Sequence, residues 1–361
     1  MNSSRIRCFD FIKGISILLV VFCHYVVLSK ETIVGNVFMT LAWAAVPCFM
    51  MTSGALLHQK KDFLWRPYLY KLLKIYLVFS VWRGIYFLIY RVVLQLEVQL
   101  SFTKILEYLF LFRDIEGVNT DVMWYIRAYF VVMLLYPITH SLLIKLETEG
   151  SFTLMFAALI SSISGIIIPS LNWTFGKISQ HVEIMNFSFD GFNLVMPFTN
   201  YGGMIFYFIV GAIVYKNKDR LLINCNTVLL IITAVLSTIG LLLVKYLDTG
   251  LLVWGGIYLP GGYSHLMVAS LSISLWMLLV RYGDCLGERV DFFTRNIGKN
   301  TMGIYYLHYI LLAVLGNKIY PKITEHYSFG LNCLKTILIA SVCAALTFVF
   351  RKIPLIGELV K

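Results

Sequence analysis

Residues 5–28 read RIRCFDFIKGISILLVVFCHYVVL. Asp10, Lys13 and Gly14 stand at the head of an apolar run, and His24 stands inside it. The stretch from Ile15 to Leu28 is otherwise nearly pure hydrocarbon and reads as a helix in a bilayer. A titratable group in that setting is costly, and this makes His24 a functional candidate. His24 stands eleven residues after Lys13, about three helical turns or roughly 16 Å. One group sits at a membrane surface and the other deep within. The layout suits chemistry that links a cytosolic compound to a site beyond it.

Composition carries this reading along the chain. Apolar residues make up 59% of the 361 and charged residues 14%, against about 25% charged in soluble domains. Mean hydropathy is +0.79. The expected fold class is an all-α membrane protein with about ten transmembrane helices and both termini cytoplasmic. The spans fall near 11–29, 36–57, 72–94, 122–144, 151–170, 200–215, 226–247, 263–281, 300–317 and 334–350. No small-residue cleavage site follows the first run, so the amino terminus does not read as a cleaved signal peptide. The sequence predicts a single integral-membrane domain over 1–361, with no soluble C-terminal domain, internal repeat or low-complexity tract.

Charge placement follows the same plan. With the amino terminus inside, the cytoplasmic segments hold Arg5, Arg7 and Lys13, then Lys60, Lys61, Arg66, Lys71 and Lys74. Lys145, Lys216, Lys218, Arg220 and the basic residues near 281–299 and 351–361 follow. The opposite connections carry acids, including Glu97, Glu107, Asp114 and Asp190. An even number of spans satisfies the positive-inside rule. The net charge of +11 therefore reflects loop alternation, and nucleic-acid binding is unsupported. The seven scattered cysteines form neither a zinc spacing nor a disulfide framework, and core packing accounts for them. No metal site is expected. Residues 100–112 are amphipathic and suit the interface. Residues 171–199 read as a long outer loop holding Trp173, His181 and Asp190.

Each candidate has a bland reading beside the functional one. His24 acts as a general base or is a packed core histidine. Lys13 binds an anion or is a snorkelling anchor, with Asp10 as its i,i+3 partner. Lys71 and Lys74, also i,i+3, bind phosphate or signal topology and attract anionic lipid. Arg83, halfway along its span, needs a carboxylate, a phosphate or water. Arg127 has the same need, or anchors with the aromatic belt beside Trp124 and Tyr125. Ser53 and Gly54 favour close helix approach, and Pro47 is expected to kink its helix. His308 is a second polar partner or a packed residue. Gly-rich phosphate loops, His-Glu-x-x-His and Gly-x-Ser-x-Gly are missing.

Together the residues resemble the acyltransferase 3 family of bacterial membrane O-acyltransferases. RIRCFDFIKGISILLVVFCH, residues 5–24, is similar to the family's Asp-x-x-(Arg/Lys)-Gly opening and its basic-x10-His spacing. PCFMMTSGALL at 47–57 resembles its Phe-x-x-Ser-Gly segment, and KLLKIY at 71–76 its Arg-x-x-Arg position. MWYIRAYFVVMLLYP at 123–137 resembles its Leu-Trp-Tyr-Leu segment, and NTMGIYYLHYIL at 300–311 its Ile-Tyr-Leu-x-His motif. Lysines replace arginine at 13, 71 and 74, which keeps the charge but loses the bidentate fork.

The resemblance implies transfer of an acetyl group from cytosolic acetyl-CoA, the acyl-donor cosubstrate. The acceptor it implies is a hydroxyl of an envelope polysaccharide or lipid-linked glycan, at the bacterial inner membrane. It implies donor phosphates on Lys13, Lys71 and Lys74. His24 would be the base and Asp10 would steady Lys13. Trp124, Arg127, Ser53 and His308 would lie on the substrate side. The alternatives are another acyl group such as succinyl, or a transporter of an acyl donor or lipid-linked sugar. The oligomeric state is not legible.

Overall fold

The structure is a computed structural model. It describes residues 6–25, 33–59, 62–97, 101–144, 150–180, 188–189, 191, 201–219, 221, 225–250, 262–285, 287–318 and 329–360. Among these the regular elements are all helical. They are α1 (Arg7–Tyr25), α2 (Ile33–Ala42), α3 (Ala45–Leu57), α4 (Trp65–Leu88), α5 (Phe102–Phe110), α6 (Trp124–Ile144), α7 (Gly150–Ser162) and α8 (Ile168–Ser179). Then follow α9 (Gly202–Lys216), α10 (Thr227–Thr249), α11 (Leu266–Tyr282), α12 (Glu288–Lys299), α13 (Thr301–Lys318), α14 (Phe329–Phe350) and α15 (Ile356–Leu359).

Six described segments are long and apolar enough to cross a membrane: 33–57, 65–93, 124–143, 155–179, 227–249 and 329–350. The shorter apolar helices Gly202–Lys216, Leu266–Tyr282 and Thr301–Leu315 accompany them. α1 is nineteen residues long and carries Asp10 in its first turn. The expected end of the first span, 26–29, lies outside the described residues.

Proline chemistry shapes two helices. The expected span at 36–57 is broken at Trp43–Ala44 into α2 and α3. Pro47 has no N–H to give the carbonyl four residues back, that of Trp43, and the helix restarts there. In α6 the same deficit at Pro137 frees the carbonyl of Met133. The Tyr68 hydroxyl donates to that oxygen at 2.8 Å, so α6 continues unbroken.

Two connections differ from the sequence reading. Residues 171–179, expected as loop, are helical, because α7 runs through a π-helical turn at Ile163–Ile167 into α8. His181 and Asp190 of that loop lie outside the described residues. The basic link between 281 and 300 folds as the amphipathic helix α12, with Val290, Phe292 and Phe293 exposed. The amphipathic reading of 100–112 becomes α5, capped by the Ser101 side chain accepting from the Lys104 N–H at 3.4 Å.

α1 is the central post. It packs against α2, α3, α11, α12, α13 and α14, and Ile12, Ile17 and Val21 are wholly buried. Its crossing with α12 is close. A Cβ on Gly14 would stand 2.6 Å from the Thr294 carbonyl oxygen, and one on Gly298 2.2 Å from that of Asp10. Glycines at both points let α12 lie directly on the charged first turns of α1.

Candidate active site

Helix periodicity assembles one cavity of about 270 Å³, near the lower edge of ordinary small-ligand pockets, roughly 300 Å³. α1 contributes Lys13, Ile17, Val20 and His24, spaced i, i+4, i+7 and i+11 along a single stripe. α3 contributes Val46, Phe49 and Ser53 in the same manner, and α4 Lys71 and Ile75. Tyr125 and Tyr129 come from α6 with Trp124, while Thr301, Met302 and Tyr305 come from the start of α13. The cavity thus spans the roughly 16 Å between Lys13 and His24.

Its walls are apolar and aromatic, and they are braced from outside. Trp43 packs edge-on against Tyr263 at 4.8 Å, and Tyr263 against Trp124 at 5.0 Å. The Tyr207 hydroxyl donates to the Tyr263 carbonyl at 2.9 Å. Tyr305 donates to the Val122 carbonyl. Trp276, wholly buried behind α3, donates its indole N–H to Thr52 Oγ1 at 3.0 Å. That bond fixes the helix that presents Ser53.

The cations divide into engaged and available. Lys13 Nζ lies 3.2 Å from Asp10 Oδ1, and the Asp10 side chain is buried. Asp10 therefore steadies Lys13 but does not line the cavity. Lys71 lines the cavity and has no carboxylate partner among the described residues. Lys74 departs from the sequence expectation. Three residues turn a helix by about 300°, which leaves Lys74 about 60° away from the direction of Lys71. It pairs with Glu358 of α15 and is absent from the cavity wall.

Two residues expected on the substrate side also lie elsewhere. Arg127 is turned from Tyr125 and Tyr129, and its Nη1 is 3.2 Å from Asp114 Oδ2. Asp114 also takes Arg83 Nη1 at 3.0 Å and the Thr120 hydroxyl at 3.0 Å. Arg83 is wholly buried, lies over the Tyr108 ring at 4.0 Å and donates to the Arg113 carbonyl. This is the counter-charge that the mid-span arginine requires. Partial burial raises the Asp114 carboxyl, but Arg127, the Thr120 hydrogen bond and Arg83 outweigh it and hold the group below its ordinary range. His308 is likewise off the wall, completely buried, with its ring centroid 5.5 Å from that of His24. It cannot touch a substrate in this form.

Sequence reasoning missed Tyr263, Tyr129, Thr301 and Met302. Tyr129 had a signal in its i+4 spacing from Tyr125, whereas Tyr263 sits on a short 3₁₀ turn with none. Of the cysteines, Cys8, Cys48 and Cys343 are buried as packing groups. Cys23 lines the cavity. Among the described residues no three His, Cys, Asp or Glu side chains cluster as metal ligands.

The long apolar helices, with a cavity that Lys13, Lys71 and His24 line, mark a multi-pass membrane protein. The chain belongs to the acyltransferase 3 family, for the family model described as an acyltransferase domain matches residues 6–350. It is a membrane acyltransferase. Comparison with curated proteins and with solved structures finds no match to either.

Proposed function

We propose that the protein is an O-acetyltransferase of the bacterial cytoplasmic membrane. It crosses that membrane about ten times as one domain, with both termini inside. It moves acetyl from cytosolic acetyl-CoA to a hydroxyl of a cell-envelope glycan such as an O-antigen, capsule or exopolysaccharide. One observation carries the reading: Lys13, Lys71 and His24 line a single cavity. Lys13 and Lys71 neutralise donor phosphate at the cytosolic mouth. The apolar wall between them and His24 takes the pantetheine arm. His24 removes the proton of the acceptor hydroxyl as its oxygen attacks the acetyl carbonyl. The new C–O bond forms, the C–S bond breaks, and the proton passes from His24 to the CoA thiolate. Ser53 and Trp124 border the reacting groups. Arg127, through Asp114, braces the neighbouring wall.

The test is turnover of acetyl-CoA by purified protein in detergent, with a glycan acceptor and release of free CoA as readout. Wild type is compared with His24→Ala. Loss of turnover in a folded, monodisperse variant is the expected result. Equal turnover in both removes His24 from the mechanism. Preference for succinyl-CoA in a donor competition overturns the acetyl assignment alone.

A further inference from the structure

A histidine that serves as a base needs a partner on its far nitrogen to fix its tautomer and aim. That role commonly falls to a carboxylate. Among the described residues no Asp or Glu lines this cavity. Asp10 is occupied by Lys13 and lies fourteen residues before His24, roughly 21 Å along the helix. The partner must be found elsewhere.

His308 has the necessary features. Its Nδ1 stands 3.0 Å from the Ile304 carbonyl oxygen. A carbonyl only accepts, so Nδ1 bears the proton and Nε2 of the neutral ring is a bare lone pair. That Nε2 is buried, and among the described residues no donor reaches it. An unmet buried acceptor is costly and rare in a native fold. Of the rings packed on His308, His24 is nearest at 5.5 Å, with Tyr305 at 6.1 Å and Tyr309 at 6.4 Å. The Tyr305 hydroxyl is already given to Val122. A linear N–H···N bond of about 3 Å sets two imidazole centroids roughly 5.2 Å apart. The observed separation is within a small side-chain adjustment of that value.

We infer that His308 is the positioning residue for His24. Its Nε2 accepts the N–H of His24, and the remaining nitrogen of His24 faces the cavity as a lone pair. The inference rests on the reading of His24 as general base. A neutral partner fixes the tautomer without adding negative charge beside the ring. The proton that His24 takes from the hydroxyl passes to the departing thiolate. The titratable and charged groups facing this pair are Lys13 and Lys71 across the cavity, with Cys23, Tyr305 and Tyr309 around the rings.

The test uses the full chain in detergent, with kcat and KM for acetyl-CoA followed against pH for wild type, His308→Phe, His308→Gln and His24→Ala. The phenylalanine variant should lower kcat at least tenfold, leave KM within twofold and move the acid limb of the kcat profile. Glutamine, whose carbonyl reaches the Nε2 position, should recover most of the loss. An unchanged kcat and pH profile in folded His308→Phe, with His24→Ala inactive, overturns the inference alone. Activity in His24→Ala instead overturns the general-base reading beneath it. A second measurement needs neither turnover nor a variant that folds well. ¹⁵N-histidine labelling of the wild-type protein should show one protonated and one bare nitrogen on His24, with a scalar coupling across the bond to His308. Equally populated tautomers and no coupling overturn the inference.

Discussion

Replacing Lys71 by alanine and, separately, Lys74 by alanine separates the cavity from the simple motif that contains both residues. A motif reading treats them as equals. The structure places Lys71 on the cavity wall with no carboxylate partner among the described residues, and binds Lys74 to Glu358. An ammonium and a phosphate about 4 Å apart interact by about 1 kcal/mol in water and about 4 kcal/mol at an effective dielectric of 20. Lys71 is an exposed residue at the cavity mouth, so the lower part of that range applies, about 1–2 kcal/mol. The expected effect of Lys71→Ala is a rise in KM for acetyl-CoA of roughly five- to thirtyfold with kcat nearly constant. Lys74→Ala breaks a pair whose carboxylate side chain is 51% exposed. Such pairs contribute about 0–1 kcal/mol to stability, and KM should move less than about twofold. Initial rates of CoA release over a range of donor concentrations, at two ionic strengths, make the comparison. The Lys71 effect should shrink at the higher salt. Equal KM changes in the two variants would refute the division drawn from helix rotation and ion pairing.

Gly54→Ala should damage both stability and activity. Its Cβ would stand 1.9 Å from the Phe208 carbonyl oxygen, so α3 and α9 must part. Overpacking of this kind costs about 1–3 kcal/mol, read as a lower melting temperature in detergent. The shift of Ser53 should cost at least tenfold in kcat/KM, while Gly176→Ala, whose Cβ meets open space, changes neither. A second expectation concerns pH. His58 follows the segment 33–57, with Nδ1 donating to the Gly54 carbonyl at 2.7 Å and Nε2 3.1 Å from Thr139 Oγ1. Burial pushes its imidazole down to about 4, partly offset by the Gly54 bond. A folded value below the unfolded one of about 6.5 makes its contribution whole above that pH and lost as the pH falls toward 4. The melting temperature should drop between pH 7 and pH 5, and His58→Gln should flatten that slope.

The parts of this site that could be read from sequence are those governed by a single helix. The eleven steps from Lys13 to His24 amount to about 1100° of rotation, about 20° from three full turns. One face was therefore bound to carry both, with Ile17 and Val20 between them. Lys74 parts from Lys71 because i,i+3 neighbours share a face only approximately, and its partner is Glu358, 284 residues further on. Arg83 and Arg127 were legible as cations in need of a counter-charge. Their shared partner Asp114 lies 31 and 13 residues away in a connection whose path no periodicity dictates. The break between α2 and α3 was foreshadowed by Pro47, but not the unbroken course of α6 past Pro137. There the decision rests with a Tyr68 hydroxyl supplied by another helix. His308 illustrates the same boundary. Its own helix supplies the Ile304 carbonyl that accepts the Nδ1–H. Only the packing of α13 against α1 brings its ring beside that of His24. A reactive histidine can be nominated from its position in an apolar run. The group that aims it is a property of the assembled bundle, because the two rings stand near opposite ends of the chain yet 5.5 Å apart in space.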